Sequence, residues 1–417
     1  MMTSSDSKSP VFYGYIVVLA ALCIMIAVWG SYYAFGIFFK PMLTEFGWSK
    51  AILSGAFSIS MVIQTVLAIV MGGITDRIGS RIVTVLCGTV LAIGYFLMSR
   101  VHSIWQLYVI YGVVVGVGMS GSFVPLTSTA ARWFIKRRGI MTGIITSGTG
   151  IGALIASPVA TRLVAQYDWR LSFIIMGIAV LIIVISAAFF LKRDPNQIGQ
   201  RAYGESKGSE GLGRNSRGLS VKEAFHTKQF HILAAIFFCF GFDMFTIVVH
   251  IVPHTSEMGF SATTAAGVLA MIGGLVVLGR IMLGFAADRF GNRPIFIFGF
   301  ILASAALFCL IAAKEIWMFY LFAIFFGFSN GGMGTSESPL VAEFFGLKSH
   351  GLILAFTGSG FTMGAAFGPF VAGYLFDIGG SYQLAFILCT GISILGLILT
   401  LLLKPVRVET RRPIQPD

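Results

Sequence analysis

The chain is dominated by long apolar runs that short polar segments separate. Twelve runs are long enough for a helix to cross the hydrocarbon core of a bilayer, which takes roughly 20 apolar residues. These runs lack the strict polar and apolar alternation of outer-membrane strands, so they favour membrane-spanning α-helices. The predicted spans lie near residues 14–39, 51–74, 82–99, 104–131, 140–165, 171–191, 231–255, 262–287, 295–313, 316–342, 352–376 and 384–403.

One connection between these runs is much longer than the others. Residues 192–229 are polar, charged and rich in Gly and Ser, which is typical of a flexible linker. The sequence therefore predicts an all-α polytopic membrane protein with twelve transmembrane helices in two six-helix bundles. The predicted bundles are residues 1–191 and 230–417, and the cytoplasmic linker 192–229 lies between them.

Composition supports the same class of protein. Only 11% of the residues are charged and 56% are hydrophobic, whereas an average soluble chain carries roughly a quarter charged residues. We therefore expect neither an enzyme nor a nucleic-acid binder, and we expect no cofactor and no metal.

The net charge of +12 has a topological interpretation. With the N-terminus inside, the 29 Lys and Arg residues divide into 22 in cytoplasmic segments, 6 in outer loops and Arg280 within a helix. This bias predicts that both termini are cytoplasmic. The compact loops and the absence of a targeting signal predict a prokaryotic inner membrane. We also expect a monomer.

An internal repeat relates the two bundles. Loop 2–3 reads GGITDRIGSR from Gly72 and loop 8–9 reads GFAADRFGNR from Gly284, at an offset of 212 residues. A parallel repeat predicts two pseudo-symmetric halves about an axis along the membrane normal. Charged residues of these loops could latch the halves in one state, or they could simply form tight turns with inside-facing charge. The predicted gating residues in the loops are Asp76, Arg77, Arg81, Asp288, Arg289 and Arg293.

The repeated GxxxDRxGxR signature resembles that of the major facilitator superfamily, and the resemblance covers essentially the whole chain. A finer similarity is to the monocarboxylate transporter branch and its bacterial neighbours, including oxalate/formate exchangers. It rests on FYGYIVVLAA from Phe12, YAFGIFF from Tyr33 and GGLVVLGR ending at Arg280. The chain departs from animal members at Val276, where they carry an acid, and after Phe35, where they carry a lysine. Their proton-handling residues therefore cannot be carried over.

Arg280 is the clearest ionisable residue inside a predicted span. Such groups are costly in a bilayer and usually functional, and a guanidinium offers a planar fork to a carboxylate. We interpret Arg280 as a carboxylate anchor, and the alternative is a structural ion pair with Asp243 of helix 7. His250 lies one heptad after Asp243 and could carry a proton with the anion, or could be a satisfied polar contact. The predicted proton-coupling residues are thus His250 and Asp243.

The resemblance implies further site residues. The stretch from Ser336 to Pro339 resembles a family motif whose acid pairs with the loop 8–9 arginines, so Glu337 is interpreted as a gating residue rather than a substrate ligand. The first half has Pro125 at the matching position, and its latch could use Asp76 and Arg132 instead. Cavity-lining helices of this superfamily add the candidate substrate-binding residues Tyr32, Met119, Ile145, Asn330, Phe356 and Phe361, beside Arg280 and His250.

The predicted function is secondary active transport of a small monocarboxylate such as lactate or pyruvate, coupled to protons by alternating access. The chain has no Walker-type phosphate loop, which argues against ATP as the energy source. A second basic residue within the spans, which a dicarboxylate needs, is missing. The alternatives are an oxalate/formate-type anion exchanger and a non-transporting membrane sensor on the same fold.

Overall fold

Long helices make up nearly all of the structure. The computed structural model describes residues 12–48, 50–205 and 218–404. Within them, twelve helices are long and apolar enough to span a membrane, and each predicted run is confirmed to within a few residues. They are α1 (Tyr13–Phe38), α2 (Gly55–Ile78), α3 (Ser80–Met98), α4 (Ile104–Trp133), α5 (Arg138–Gln166), α6 (Trp169–Ala188), α7 (Lys228–Thr255), α8 (Gly267–Phe290), α9 (Asn292–Ile311), α10 (Ile316–Phe345), α11 (His350–Phe376) and α12 (Gln383–Leu402).

Three shorter helices accompany the spans. Phe39–Phe46 follows α1, Pro195–Ile198 is a 3-10 turn after α6, and Val221–Phe225 precedes α7. In the last of these, Ser220 and Glu223 form a capping box that satisfies two backbone donors. The last turn of α1, Ala34–Phe38, is also a 3-10 helix.

The two halves, α1–α6 and α7–α12, pack in the same way. Helix α1 packs on α5 and α3 on α6, and in the second half α7 packs on α11 and α9 on α12. Small residues allow these close approaches, as expected where lipid supplies no hydrophobic drive between helices. A Cβ added at Gly30 of α1 would lie 2.6 Å from the carbonyl oxygen of Gly152 in α5. The structure thus shows the pseudo-symmetry that the repeat predicts.

The repeated loops turn sharply at equivalent glycines. Gly79 follows α2 and Gly291 follows α8, and both have φ of +91°, where side chains other than glycine are strained. This geometry explains why both copies of the repeat place glycine after the Asp-Arg pair. We call the end of the molecule that carries these turns and residues 192–205 and 218–227 the linker face, and the other end the opposite face.

The described ends of the linker pack against the bundles. The backbone N–H of Tyr203 donates to the carbonyl of Trp133 at 2.9 Å, and that of Leu219 donates to the carbonyl of Phe345 at 2.9 Å. Trp133 and Phe345 are related by the 212-residue offset, so both bonds satisfy carbonyls at equivalent helix ends. The expectation of a flexible linker over all of 192–229 is therefore wrong for these ends, and residues 206–217 lie outside the described residues.

A small polar cluster ties α1 to α6 at the opposite face. Glu45 of the helix after α1 accepts hydrogen bonds from the Trp169 indole and from Arg170, each at 2.7 Å. The Arg170 guanidinium forms a second contact with the other Glu45 oxygen at 2.7 Å and lies 4.3 Å from the Trp169 ring centroid. The Arg170 hydrogen bond lowers the pKa of the Glu45 carboxyl below its ordinary value.

We expect Glu45→Gln to destabilise the protein modestly, by about 0.2–1 kcal/mol, because an exposed ion pair is screened by water. A carboxyl with a lowered pKa in the folded state contributes its stability above the unfolded pKa and loses it as pH falls through the folded pKa. Thermal unfolding in detergent at neutral and acidic pH checks this. The variant and the wild type should differ at neutral pH and converge in acid, and a difference that grows in acid would contradict the assignment.

Candidate functional site

Each half closes on the other at the linker face through an aspartate and a helix N-terminus. Asp288 at the end of α8 accepts hydrogen bonds from the backbone N–H groups of Gly139 at 2.6 Å and Ile140 at 2.9 Å, which begin α5 of the other half. Unpaired N–H groups and the helix dipole favour a carboxylate at such an end. The contact is close, because a Cβ added at Gly284 would lie 2.9 Å from the carbonyl oxygen of Gly139.

The first half repeats this arrangement. Asp76 at the end of α2 accepts hydrogen bonds from Gly351 N–H at 3.2 Å and Leu352 N–H at 3.1 Å, at the start of α11. Asp76 also pairs with Arg132 at 3.0 Å, and Arg132 donates to the carbonyl of Leu347 in the other half at 3.2 Å. These two aspartates form what we call the linker-face gate.

The arginines of the repeated loops do not bridge the halves through any described contact. Arg81 lies 4.5 Å from the ring centroid of Phe189, and Arg293 donates to the carbonyls of Thr400 at 3.0 Å and Leu401 at 2.7 Å, each within its own half. The side chains of Arg77 and Arg289 are exposed. In this state the aspartates of the predicted gating set, rather than its arginines, hold the gate.

Beyond the gate, a cavity of about 190 Å³ lies between the halves. Helices α5 and α8 remain in contact as far as Gly150 and Val277, whereas a Cβ added at Gly273 or Gly274 meets nothing within 4 Å. The halves are therefore closed at the linker face and separate toward the opposite face. The lining residues are Trp29, Tyr33, Met61, Gln64, Thr65, Ala68, Phe123, Val124, Thr149, Phe240, Met244, Phe245, Arg280, Asn330, Gly334, Glu337, Leu354, Ala355, Gly358, Ser359, Phe361, Thr362 and Ala365.

Arg280 joins this cavity to the interface between the halves. From α8 its guanidinium reaches α5 of the first half, where it donates to the carbonyl of Thr146 and the hydroxyl of Thr149. Its own carbonyl accepts a hydrogen bond from Thr335 of α10 at 3.3 Å. The Nε atom is buried and has no hydrogen-bond partner. Arg280 therefore keeps donor capacity for a ligand while it holds the other half.

Glu337 lines the same cavity, which differs from the position we expected. The Glu337 side chain is 7% exposed. Its carboxyl interacts electrostatically with the Arg280 guanidinium, but the two groups do not form an ion pair within 4.0 Å. The interpretation that Glu337 pairs with Arg289 and Arg293 of loop 8–9 is wrong for this state. Glu337 lies more than two turns inside α10 from Phe345, so its side chain cannot reach that loop.

Four buried polar atoms around the cavity have no hydrogen-bond partner. They are two donors, Trp29 Nε1 and Arg280 Nε, and two amide oxygens, Gln64 Oε1 and Asn330 Oδ1. A buried polar group without a partner is costly, so bound water or a small rearrangement of the cavity wall would lower the free energy of this region.

Among the predicted substrate-binding residues, Arg280, Asn330 and Phe361 line the cavity and the others do not. Tyr32 is fully buried and its hydroxyl bonds to Ser60 at 2.7 Å, between α1 and α2. Three further candidates pack in helix interfaces outside the cavity. They are Met119 and Ile145, both fully buried, and Phe356, which packs on the core of the second half. The fourth, His250, is also a predicted proton-coupling residue.

The two predicted proton-coupling residues face away from the cavity. Asp243 is 3% exposed, its carboxyl faces Ser393 of α12, and neither oxygen has a hydrogen bond of ordinary geometry. His250 has Nδ1 at 3.2 Å from the Tyr382 hydroxyl and Nε2 at 2.9 Å from the Pro369 carbonyl. The alternative of an ion pair between Arg280 and Asp243 is absent from the described contacts, because the two side chains point to different helices.

Helical phase explains one of the cavity residues that the sequence analysis missed. Successive helical residues point about 100° apart, so Tyr33 faces the cavity while Tyr32 faces α2. The repeat offers a signal that could have found some of them. The offset of 212 relates Phe361 to Thr149 and Tyr33 to Phe245, and all four line the cavity.

Comparisons with known proteins place the chain in a family. The sequence profile of the Major Facilitator Superfamily matches residues 18–286 and 275–416. The chain belongs to the major facilitator superfamily. Mouse monocarboxylate transporter 12 is 24% identical over 400 residues, which covers 90% of this chain and 82% of that protein. Mouse monocarboxylate transporter 4 is 28% identical over 386 residues, which covers 90% of this chain and 80% of that protein.

Solved structures of superfamily transporters share the fold. The human organic anion transporter MFSD10 (TETRAN) has a TM-score of 0.74 at 16% identity, covering 94% of this chain and 100% of that chain. The proton:xylose symporter XylE has a TM-score of 0.71 at 14% identity, covering 94% and 96%. This superfamily member is thus a multi-pass membrane transporter rather than an enzyme.

We expect the double variant Asp76→Asn, Asp288→Asn to weaken the linker-face gate. Each substitution removes the charge that the facing helix N-terminus stabilises, and hydrogen bonds to charged groups contribute about 1.5–3 kcal/mol each. The measurement is thiol labelling of a cysteine placed at Ser359 in a protein whose native cysteines are alanine. Labelling from the linker face should rise about tenfold or more.

The control for the gate experiment is Arg289→Gln, which changes an exposed charge that makes no described contact with the other half. This variant should label as the parent protein does. Equal labelling of the double variant and the parent from both faces would show that the aspartates do not hold the gate closed.

Proposed function

We propose that this superfamily member carries a small monocarboxylate of the lactate or pyruvate kind, together with protons, by alternating access. The observation that carries the proposal is the position of Arg280 in the wall of the cavity. Arg280 is the only Lys or Arg among the residues that line the described cavity, and it keeps a buried, unpartnered donor there. A guanidinium binds a carboxylate through charge-assisted and often bidentate hydrogen bonds. The monocarboxylate transporters to which the chain is similar support this substrate class.

The charges of the cavity favour one carboxylate rather than two. A dicarboxylate brings a second negative charge, and no other lining residue can carry a positive charge to balance it. Most of the lining is apolar, with Met61, Phe240 and Phe361 among its larger side chains, so the site limits the size of the substrate. The apolar walls also strengthen the ionic contact by excluding water.

Arg280 gives a physical route from binding to movement. The same guanidinium holds Thr146 and Thr149 of the other half. A carboxylate at Arg280 competes for these donors, so occupancy of the site changes the contact between α5 and α8. A ligand can shift the equilibrium between two states only through such a difference in contacts. The two halves then rock around the site and expose it to each face in turn.

We further propose that the linker face is cytoplasmic, because the sequence assigns 22 of the 29 Lys and Arg residues to cytoplasmic segments and the two repeated loops among these segments lie at that face. The structure described here is then the outward-open state. The relatives to which the chain is similar come from mouse, human, rat, chicken and yeast, so they do not support the expected prokaryotic inner membrane.

The function is tested by uptake of labelled lactate into proteoliposomes with an imposed pH gradient. We expect uptake toward the alkaline side and accumulation above equilibrium, which a voltage or a lactate gradient alone does not produce. Lack of lactate flux in either gradient direction, together with rapid oxalate exchange, would contradict the proposal and support the anion-exchanger alternative.

We expect Arg280→Gln to weaken lactate binding by about 10- to 100-fold, the loss that follows from removing charged hydrogen bonds of about 1.5–3 kcal/mol. Arg280→Lys keeps the charge without the planar fork and should be intermediate. Equilibrium binding of labelled lactate to purified protein measures both. Arg162→Gln, which changes an exposed arginine of α5 outside the cavity, serves as the control. Wild-type affinity in Arg280→Gln would show that Arg280 only links the halves.

A further inference from the structure

The cavity contains one carboxyl group. Among the described lining residues, Glu337 is the only Asp or Glu, and Arg280 is the only Lys or Arg. Neither is neutralised by an ion pair with another residue in the described structure. The cavity is thus lined by one basic and one acidic side chain.

Arg280 and Glu337 lie at a similar depth in the membrane. Glu337 comes eight residues before Phe345 at the end of α10, and Arg280 comes ten residues before Phe290 at the end of α8. With a rise of 1.5 Å per residue, both lie about 12–15 Å from the linker face. Helices α8 and α10 also pack on each other, since a Cβ added at Gly327 of α10 would lie 3.0 Å from the Leu275 side chain of α8. The Arg280 and Glu337 side chains are therefore close enough for the charge of one to affect the ionisation of the other.

We propose that Glu337 is the residue that carries the coupled proton. This inference rests on the proposed function, because it names the proton site of the same transport cycle. In the empty cavity, ionised Glu337 balances Arg280. When an anion binds Arg280, a proton added to a Glu337 carboxyl oxygen keeps the loaded cavity neutral overall, which is the state that crosses a low-dielectric region at least cost.

The proton step needs no other reactant. A proton from water on one side adds to the carboxylate of Glu337 as the anion binds, and no bond of the substrate is made or broken. After the halves rock, the anion and the proton leave to the other side and Glu337 is ionised again. One anion and one proton then cross together, and the charge of the protein returns to its starting value.

Other titratable groups near α10 do not replace Glu337 in this role. From α1, Tyr33 lines the cavity and interacts electrostatically with Arg280. From α11, His350 is fully buried and bonds to the Ser338 hydroxyl at 3.1 Å, outside the cavity lining.

The remaining charged groups on elements packed against α10 also lie outside the cavity lining. Arg132 from the end of α4 and Arg138 from the start of α5 donate to carbonyls at the linker face. On α9, Arg293 bonds to carbonyls at the end of α12, and on α7, Asp243 and His250 face α11 and α12. Glu337 is the one acid among these groups that can exchange protons with the cavity.

Only the second half has an acid and an arginine at these two positions of the repeat. The repeat partner of Glu337 is Pro125, and that of Arg280 is Ala68, which lines the cavity without a charge. Glu337 on α10 therefore supplies the one carboxyl group among the described residues that line the cavity.

The experiment compares net uptake with exchange in proteoliposomes that contain Glu337→Gln. A permanently neutral side chain mimics the protonated state, so the loaded carrier can still move. We expect counterflow of labelled lactate to persist and to become independent of pH, while uptake driven by a pH gradient is lost. For the wild type, linkage to one proton predicts that lactate affinity falls about tenfold per pH unit over the pH range in which Glu337 is ionised in the empty cavity and protonated in the loaded one, and this slope should be flat in the variant.

Glu343→Gln is the matched control. Glu343 lies on the same helix, but its side chain is exposed and bonds to Asn292 at 3.2 Å. This control should keep both gradient-driven uptake and the pH slope. Glu337→Asp retains a titratable carboxyl and should keep proton coupling, even if the neutral variant expresses poorly.

Two results would overturn the assignment of Glu337. One is a Glu337→Gln protein whose uptake still responds to the pH gradient as the wild type does. The other is a folded variant that binds no lactate at any pH, since Glu337 would then be needed for the site itself. Failure of the proposed function is distinguishable from both, because in that case the wild type would neither bind nor exchange lactate.

Discussion

A guanidinium held inside the membrane between the two halves is the interaction on which the rest of the site depends. Arg280 extends from α8 to the carbonyl of Thr146 and the hydroxyl of Thr149 on α5. A charge at this depth is tolerated only where protein groups or cavity water replace its hydration. The two halves must therefore stay close enough to serve it, and any anion that enters the cavity meets a cation that is already part of their interface.

The repeat builds a symmetric frame that carries asymmetric chemistry. Asp76 and Asp288 close the linker face through the same bonds to opposite helices, so the gate follows the pseudo-twofold axis. The cavity does not follow it, because Arg280 corresponds to Ala68 and Glu337 corresponds to Pro125. The second half thus supplies both ionisable residues of the cavity, while the first half supplies polar residues such as Thr149 and part of the apolar lining. A single cation and a single acid fit one monovalent anion and one proton.

Much of the fold follows from the sequence, because each span must satisfy its own backbone and be apolar over its length. The internal repeat and the single arginine within a predicted span, Arg280, could also be found from the sequence. The orientation of the side chains could not be predicted, because the sequence of a helix that is apolar on all sides does not show which side faces the cavity. Tyr33, rather than the predicted Tyr32, lines the cavity, and the predicted residues Asp243 and His250 face α12 and α11. The motif around Glu337 predicts a gate residue, because the position of a motif in the chain does not reveal that this side chain lines the cavity.

The proposed cycle requires the cavity to load one anion and one proton as a neutral set. The most direct measurement is the number of protons taken up when lactate binds to purified protein, from binding enthalpies in buffers of different ionisation enthalpy at a pH where Glu337 is ionised. We expect close to one proton to be taken up per lactate bound. Lactate binding without proton uptake across the neutral pH range would contradict it.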